Sequence, residues 1–331
     1  MNSQDVLAVR NLRTEFRIDG AWRAAVDGIS LHLAAGETLA LVGESGCGKS
    51  MTALSIMGLV PQPAGRIGSG QILLDGVDLV KLPEERLEKL RGDRMAMIFQ
   101  EPMTSLNPVM TVGAQVAESL RIHRGLSRAA ANAAALAVLD EVKIPSASRR
   151  FNDYPHQFSG GMRQRVMIAV ALACEPALLL ADEPTTALDV TIQAQVLGLL
   201  ADLKAKHGMA MLFITHNLGV VAQIADRVAV MYAGQIVEQA DVHAVFARPA
   251  HPYTRALFGA IPRMDLDGQE LVAIPGRVPP LDAMPPGCRF QPRCPLARPG
   301  CELPQVLAPA APGHEARCHV ATGVLMEEAH A

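Results

Sequence analysis

A chain of 331 residues, half of them hydrophobic, is long enough for one large domain or two domains with a substantial core. Its net charge of −3 gives no electrostatic case for nucleic acid as a partner. The opening Met1-Asn2-Ser3-Gln4-Asp5 has no basic stretch ahead of an apolar core, and the apolar run at Met167–Cys174 stops at Glu175-Pro176, short of the about 20 residues a spanning helix needs. The chain is therefore expected to be cytosolic, or peripheral to a membrane through another subunit. Six cysteines in a reducing compartment argue against a disulfide framework, and the clustering of four of them after residue 287 favours a metal.

In chain order, residues 5–37 read as short strands at Leu7–Val9, Thr14–Ile18 and Gly28–Leu33, with Asp19-Gly20 as a turn. The apolar strand Thr38–Val42 runs into Gly43–Ser50, Gly-Glu-Ser-Gly-Cys-Gly-Lys-Ser, and a helical pattern follows at Met51–Leu59. That fits G-x-x-x-x-G-K-[ST] in its strand–loop–helix context. Gly43, Gly46 and Gly48 let backbone amides curl inward toward phosphate oxygens, and the helix N-terminus adds positive potential. Lys49 supplies a charge for the β- and γ-phosphates, and Ser50 a hydroxyl for Mg²⁺. The bland alternative, a glycine-rich turn, leaves that context unexplained.

A strand is expected at Gly70–Leu74, a charged helix at Pro83–Arg91, and a buried strand at Met95–Phe99 ending on Gln100. The Ala-rich stretch Thr111–Ile144 reads as a helical subdomain. Ser159-Gly160-Gly161-Met162-Arg163-Gln164 opens a helix running to about Cys174; a Ser hydroxyl and two Gly amides there would make a second phosphate-recognising surface. One chain hardly needs two such surfaces for one γ-phosphate; two chains placed head-to-tail do. The strand Ala177–Ala181 leads into Asp182 and Glu183, suited to holding Mg²⁺ and to polarising an attacking water. A helix at Thr191–Lys206 and a strand at Met209–Thr215, followed by His216, complete an alternation that implies an α/β fold with a mostly parallel sheet. Gln100 and His216 both fall where parallel strands end, the edge at which α/β ligands bind. Each of these signals has a structural alternative when taken singly. Their order behind the phosphate loop is what raises them.

The character changes near Pro275: residues 275–313 hold eleven of the 23 prolines. Such a stretch cannot supply long helices or central strands and needs another staple. Cys288, Cys294, Cys301 and Cys318, with gaps of five, six and sixteen residues, could enclose one metal centre, with His319 a flanking residue. No C-x₂-C pair is present, and spacing alone leaves zinc, an iron–sulfur cluster and unliganded thiols open. Cys174 reads as inert core. Cys47, inside the phosphate loop, reads either as a tolerated small residue or as a thiol whose pKa the helix N-terminus and Lys49 lower, in which case alkylation would block hydrolysis and ATP would protect.

At this point the sequence resembles the ATP-binding-cassette ATPases of membrane transporters, over about residues 5–260. Gly43–Ser50 looks like Walker A, Gln100 like the Q-loop, Ser159–Gln164 like the signature motif, and Leu178–Asp182 like Walker B with Glu183 as catalytic glutamate. Ala187-Leu188-Asp189 looks like the D-loop and His216 like the switch histidine. Met162 departs from the more usual Gln, but the Ser and both Gly are kept. The resemblance implies a P-loop cassette with a parallel core, an antiparallel β subdomain and a helical subdomain at about 101–175. It implies nucleotide contacts from Phe16, with Trp22 as the alternative adenine-stacking ring, and from Gly43, Glu44, Ser45, Gly46, Cys47, Gly48, Lys49, Ser50 and Met51. Further contacts would come from Gln100, Asp182, Ser159, Gly160, Gly161 and Asp189, with Mg²⁺ held by Ser50, Gln100 and Asp182. Glu183, His216 and Gln100 would carry hydrolysis.

A narrower resemblance rests on Phe99-Gln100-Glu101-Pro102-Met103-Thr104-Ser105-Leu106-Asn107-Pro108, Tyr154-Pro155-His156-Gln157, Ala181–Gln195 and His251-Pro252-Tyr253-Thr254. These look like the dipeptide/oligopeptide importer ATPases, whose Pro- and Cys-rich extension would occupy 261–331. It implies an ATPase subunit at the cytoplasmic face of the membrane, two permease subunits, an external solute-binding protein acting indirectly, and a paralogous ATPase partner, with a homodimer also open. It also implies that the four cysteines hold a [4Fe–4S] cluster, with Zn²⁺ as the alternative. Import of nickel or glutathione belongs to the same transporter family. A soluble cassette ATPase acting on DNA or ribosomes would usually carry long coiled coils or tandem cassettes, and neither is visible. A redox protein with the cassette as scaffold is the remaining alternative.

Overall fold

The computed structural model describes residues 5–100, 105–186, 188–260 and 274–324. Glu101–Thr104, Ala187 and the start of the expected C-terminal extension, 261–273, lie outside the described residues. The strands, in chain order, are β1 (Asp5–Ile18), β2 (Ala21–Ala34), β3 (Thr38–Val42), β4 (Gly65–Leu74), β5 (Val77–Asp78), β6 (Met95–Ile98), β7 (Leu178–Asp182), β8 (Ala210–Thr215), β9 (Arg227–Tyr232), β10 (Gln235–Asp241), β11 (Ala308–Ala311) and β12 (His314–Ala316). The chain divides into two compact units. One is built chiefly from Leu74–Ile214; the other from Ala8–His32, Thr38–Leu73 and the described residues from Thr215 onward.

In the first unit β6, β7 and β8 are parallel neighbours, with Ala96 opposite Leu179 and Leu180 opposite Leu212. All three strands are buried along their length, which explains why they read as unbroken apolar runs rather than alternating ones. Asp182, expected just past its strand, is the last residue of β7. Between β6 and β7 the Ala-rich stretch folds as the helices Val112–Arg124 and Arg128–Glu141, each started by a hydroxyl cap. Thr111 accepts from the Ala114 N–H and Ser127 from the Ala130 N–H. The helix Gly160–Leu172 follows, and Val190–His207 comes after β7.

In the second unit β1 and β2 form a hairpin whose turn, Asp19-Gly20, has φ of 49° and 79°, as a two-residue primed turn requires. Thr14 and Ser55 share a buried 2.7 Å hydroxyl hydrogen bond that ties β1 to the helix Lys49–Ile56. β3 pairs in parallel with β9, and β9 turns back into antiparallel β10 through Ala233-Gly234.

Two strands from the proline-rich end then join this sheet: β12 pairs with β10, and β11 lies outside β12. A strand within 275–313 was not expected. Pro309 is accommodated because β11 is an edge strand, while the proline-free His314–Ala316 takes the inner place. The core below holds Val42, Val230, Tyr232, Tyr253 and, from the tail, Phe290, all nearly solvent-free. The tail's staple is therefore partly an aromatic anchor: Phe290 meets Tyr232 edge-on and Tyr253 tilted, each at a centroid distance of 5.3 Å.

Candidate nucleotide site

The loop Gly43–Ser50 is closed around its own lysine. Lys49 is buried, and its Nζ donates to the carbonyl oxygens of Gly43 at 2.8 Å and Glu44 at 3.0 Å. Gly43 and Gly48 have φ of 154° and 107°. A Cβ at Gly43 would stand 2.1 Å from the Met231 carbonyl oxygen, and one at Gly48 2.8 Å from the Ala25 carbonyl oxygen, so only glycine fits. The helix Lys49–Ile56 starts on left-handed Gly48 with no side-chain cap, so no side-chain oxygen takes up its first amides. Ser50 and Met51 lie half-buried in its first turn, while Ser45 and Gly46 are exposed. The loop is tied outward as well: the Glu44 N–H donates to the Tyr253 hydroxyl at 2.9 Å, and the Gly234 N–H to the Cys47 carbonyl at 2.8 Å.

Cys47 overturns the expectation drawn from its neighbours. Its side chain is 1% exposed, and burial pushes its thiol pKa up; the pull of Lys49 the other way is the smaller effect. The local rule of helix end plus lysine fails because packing removes the water a thiolate needs.

In the other unit the structure brings Gln100 and Glu183 together at the ends of β6 and β7. Gln100 Nε2 donates to Glu183 Oε2 at 3.1 Å, and Thr186 Oγ1 donates to the same oxygen at 2.8 Å. Thr186 was not anticipated; its place three residues after Glu183 is the signal that could have found it. Glu183 sits at φ 46°, a strained position for a side-chain-bearing residue. Asp182 is buried. Ser159 N-caps Gly160–Leu172 without a side-chain bond to the helix, and both Ser159 and Gly160 are exposed. Gly161 is set by packing, since a Cβ there would lie 2.6 Å from Ile192 Cγ2. Asp189 caps the helix Val190–His207, accepting from the Ile192 N–H at 2.9 Å.

His216 directly follows β8 and is exposed. Phe16 is half-buried, and its ring edge abuts Gly65; Trp22 has the Arg66 guanidinium 4.0 Å from its ring centroid.

The four tail cysteines carry free thiols, with Cys301 and Cys318 buried and Cys288 and Cys294 half-buried. Burial, reinforced by Cys318, Cys301 and Cys294, pushes the Cys288 thiol up to about 11, and burial with Cys318 and Cys301 raises Cys294. The thiols thus lie within electrostatic reach of one another. Among the described residues, however, no group of three or more His, Cys, Asp or Glu side chains stands together as a metal site. The expected cluster therefore has a donor set of suitable chemistry but no ligand geometry in its support. Also among the described residues, no helix is long and apolar enough to cross a membrane.

Solved structures place this fold among ATP-binding cassettes. The cassette MJ0796, in a dimeric post-hydrolysis state bound to ADP and Pi, superposes with a TM-score of 0.64 at 28% identity, covering 71% of this chain and 98% of that one. The cbiO1 protein of Clostridium perfringens, part of an ABC transporter complex, gives 0.63 at 25% identity, covering 74% and 92%. The class is thus the ABC-type P-loop ATPase. The ABC transporter family matches residues 26–186, and the oligopeptide/dipeptide transporter C-terminal region matches residues 237–301. A probable peptide ABC transporter ATP-binding protein of Sinorhizobium fredii is 53% identical over 95% of this chain and 94% of its own. A putative peptide import ATP-binding protein of Brucella melitensis is 52% identical over 96% and 98%. The chain belongs to this family, the ATP-binding subunits of peptide ABC transporters.

Proposed function

We propose that the chain powers peptide import by binding and hydrolysing ATP in a cassette dimer docked on transmembrane permeases. The dimer pairs it with a paralogous subunit at the cytoplasmic face, and an external binding protein delivers the peptide. The observation that carries this reading is the Ser159–Gly161 helix start, exposed at Ser159 and Gly160 and free of a side-chain cap, which suits it to the phosphates held by a partner's Gly43–Ser50 loop. Within the chain, Lys49 and the loop amides hold the β- and γ-phosphates, and Phe16 rather than Trp22 takes the adenine, since Arg66 already occupies the Trp22 ring.

Ser50, Asp182 and Gln100 each carry an oxygen donor of the kind Mg²⁺ takes, and the ion, when bound, would offset phosphate charge. Glu183, oriented by Gln100 and Thr186, accepts the proton of the attacking water, and His216 and Asp189 respond to the γ-phosphate. The donor chemistry of Cys288, Cys294, Cys301 and Cys318 suits a [4Fe–4S] cluster that would brace the tail. Iron and acid-labile sulfide on anaerobically purified protein test that point, one zinc per chain being the contrary result.

The function is tested in vesicles carrying permeases and both ATPase subunits. Binding protein plus peptide should stimulate hydrolysis, and Glu183→Gln should keep ATP binding while turnover falls by about a hundredfold or more. Stimulation by nickel or glutathione instead of peptide would move the substrate. Wild-type turnover of Glu183→Gln would remove Glu183 from its role.

A further inference from the structure

The proline-rich tail carries two arginines four residues apart; Arg293 reaches the phosphate loop directly, and Arg289 braces the Ala233-Gly234 turn that bonds it. Arg293 is buried, 5% exposed at its side chain, and its Nη1 donates to Glu44 Oε2 at 3.0 Å and to the Tyr232 hydroxyl at 3.3 Å. Its Nε donates to the Pro275 carbonyl at 2.7 Å, so the planar fork is engaged on two sides. Arg289 donates to the Ala233 carbonyl and pairs with Asp27; the next residue, Gly234, donates to the Cys47 carbonyl at 2.8 Å. The tail thus meets the loop at two points, directly at Glu44 and through Ala233-Gly234 at Cys47. Phe290, between the two arginines, is seated in the core against Tyr232 and Tyr253, which fixes the angle from which both side chains approach.

Fold stability is a weak reason for the Arg293–Glu44 pair. A buried ion pair repays its desolvation poorly, and here the second carboxylate oxygen, Glu44 Oε1, is buried without a hydrogen-bond partner. Electrostatics at the loop supply a stronger reason. Glu44 places a negative charge in a loop that has to receive a polyphosphate, and an uncompensated carboxylate there opposes the ligand.

We propose that Arg293 is a positioning residue of the nucleotide site, neutralising Glu44 and holding the loop open to phosphate, so that the C-terminal tail is a working part of that site. The inference rests on Gly43–Ser50 being the ATP-binding loop.

The test is equilibrium binding of Mg·ATP to the full chain, with steady-state kinetics in the assembled transporter. Arg293→Gln is expected to weaken Mg·ATP binding by about tenfold or more. KM should rise while kcat changes little. Glu44→Gln alone keeps affinity at or above wild type, and Glu44→Gln combined with Arg293→Gln recovers most of the loss. A residue that merely supports folding gives no such recovery. Arg293→Lys, which keeps the charge without the fork, should fall between Gln and wild type, and it carries the test if Arg293→Gln does not fold. Wild-type affinity in Arg293→Gln, or a double variant as weak as the product of the singles, overturns the proposal. Lys49→Ala separates the two layers. If it binds Mg·ATP normally, the loop itself has been misread; if it loses binding while Arg293→Gln does not, only the role of Arg293 fails.

Discussion

The phosphate loop and the Ser159–Gly161 turn both begin a helix with glycine, yet the chain treats them oppositely. Both helix starts lack a side-chain cap, but at Gly43–Ser50 the loop around it is braced from within the chain. Lys49 folds back on the loop carbonyls, Met231 and Ala25 close over Gly43 and Gly48, and Tyr253 and Gly234 bond the loop backbone. At Ser159–Gly161 the Ser159 hydroxyl bonds nothing in its own helix, a Cβ at Gly160 would meet only Leu188 Cδ2 at 4.0 Å, and Ser159 and Gly160 both face solvent. A surface finished from within can bind a ligand by itself. A surface left open completes something brought to it, which is the division of labour a composite ATP site needs.

The largest effect should come from breaking the finished side. Lys49→Ala removes the ion that gathers the loop carbonyls and, with it, the proposed charge-assisted contact to phosphate. Mg·ATP affinity of the isolated chain should fall by about a hundredfold or more, read by equilibrium binding. Ser159→Ala should leave that affinity within about twofold while abolishing most hydrolysis in the assembly. Equal affinity losses in the two variants would erase the contrast.

Glycine replacement sharpens it in the currency of stability. Gly43→Ala puts a methyl 2.1 Å from a backbone oxygen at φ 154°, and should cost about 2–4 kcal/mol, seen as a lower unfolding midpoint. Gly160→Ala enters open space in a helix first turn and should leave the midpoint unchanged within about 0.5 kcal/mol, with its cost appearing only in assembled hydrolysis.

What was legible in the sequence follows the same division between local and distant causes. The loop glycines, the apolar β6, β7 and β8, and the carboxylates where β7 ends are written in short stretches, each with one physical reading. Gln100 meeting Glu183 follows from two parallel strands ending side by side. The braces were not legible, because they join residues far apart: Glu44 N–H to Tyr253 across 209 positions and Glu44 to Arg293 across 249. No local pattern marks Phe290 as a core residue of a segment that reads as loop. The strands β11 and β12 were missed for a related reason, since a short edge pairing needs β10 as its template.

A smaller effect separates the two regions by pH. His251 caps the helix Pro252–Gly259, accepting from the Tyr253 N–H through Nδ1 at 3.0 Å, while its backbone N–H donates to Glu238 Oε2 at 2.8 Å. Burial lowers its pKa from 6.5 to about 3, the Arg317 backbone opposing and the Arg317 and Arg255 charges adding to it. Glu238, paired with His314, is the acidic group on this side. The unfolded chain therefore takes up this proton first as pH falls. Stability is fully present above the unfolded value near 6.5 and declines between there and about 3, by up to about 1.4 kcal/mol per pH unit. The Glu44 amide should then exchange faster at pH 5 than at pH 7, after correction for intrinsic rates, and the Gly160 amide should not follow. His251→Asn, which keeps a capping oxygen, should flatten the response. An unchanged pH slope in that variant would assign the effect elsewhere.

The smallest effect concerns Cys47, where sequence logic and structure part. A thiol at a helix N-terminus beside a lysine suggests a reactive thiolate that ATP would shield. In the folded loop the sulfur is buried, with the Lys49 ammonium committed to the Gly43 and Glu44 carbonyls, and the thiol pKa is raised. Both the thiolate fraction and the reagent's access are then low. Alkylation at pH 8 should leave Cys47 unmodified in the native chain with or without ATP, and modify it only after denaturation, as peptide mass mapping can read. Fast modification that ATP slows would mean that the loop opens far enough to wet the sulfur, and that the finished side of the site is finished only when nucleotide holds it.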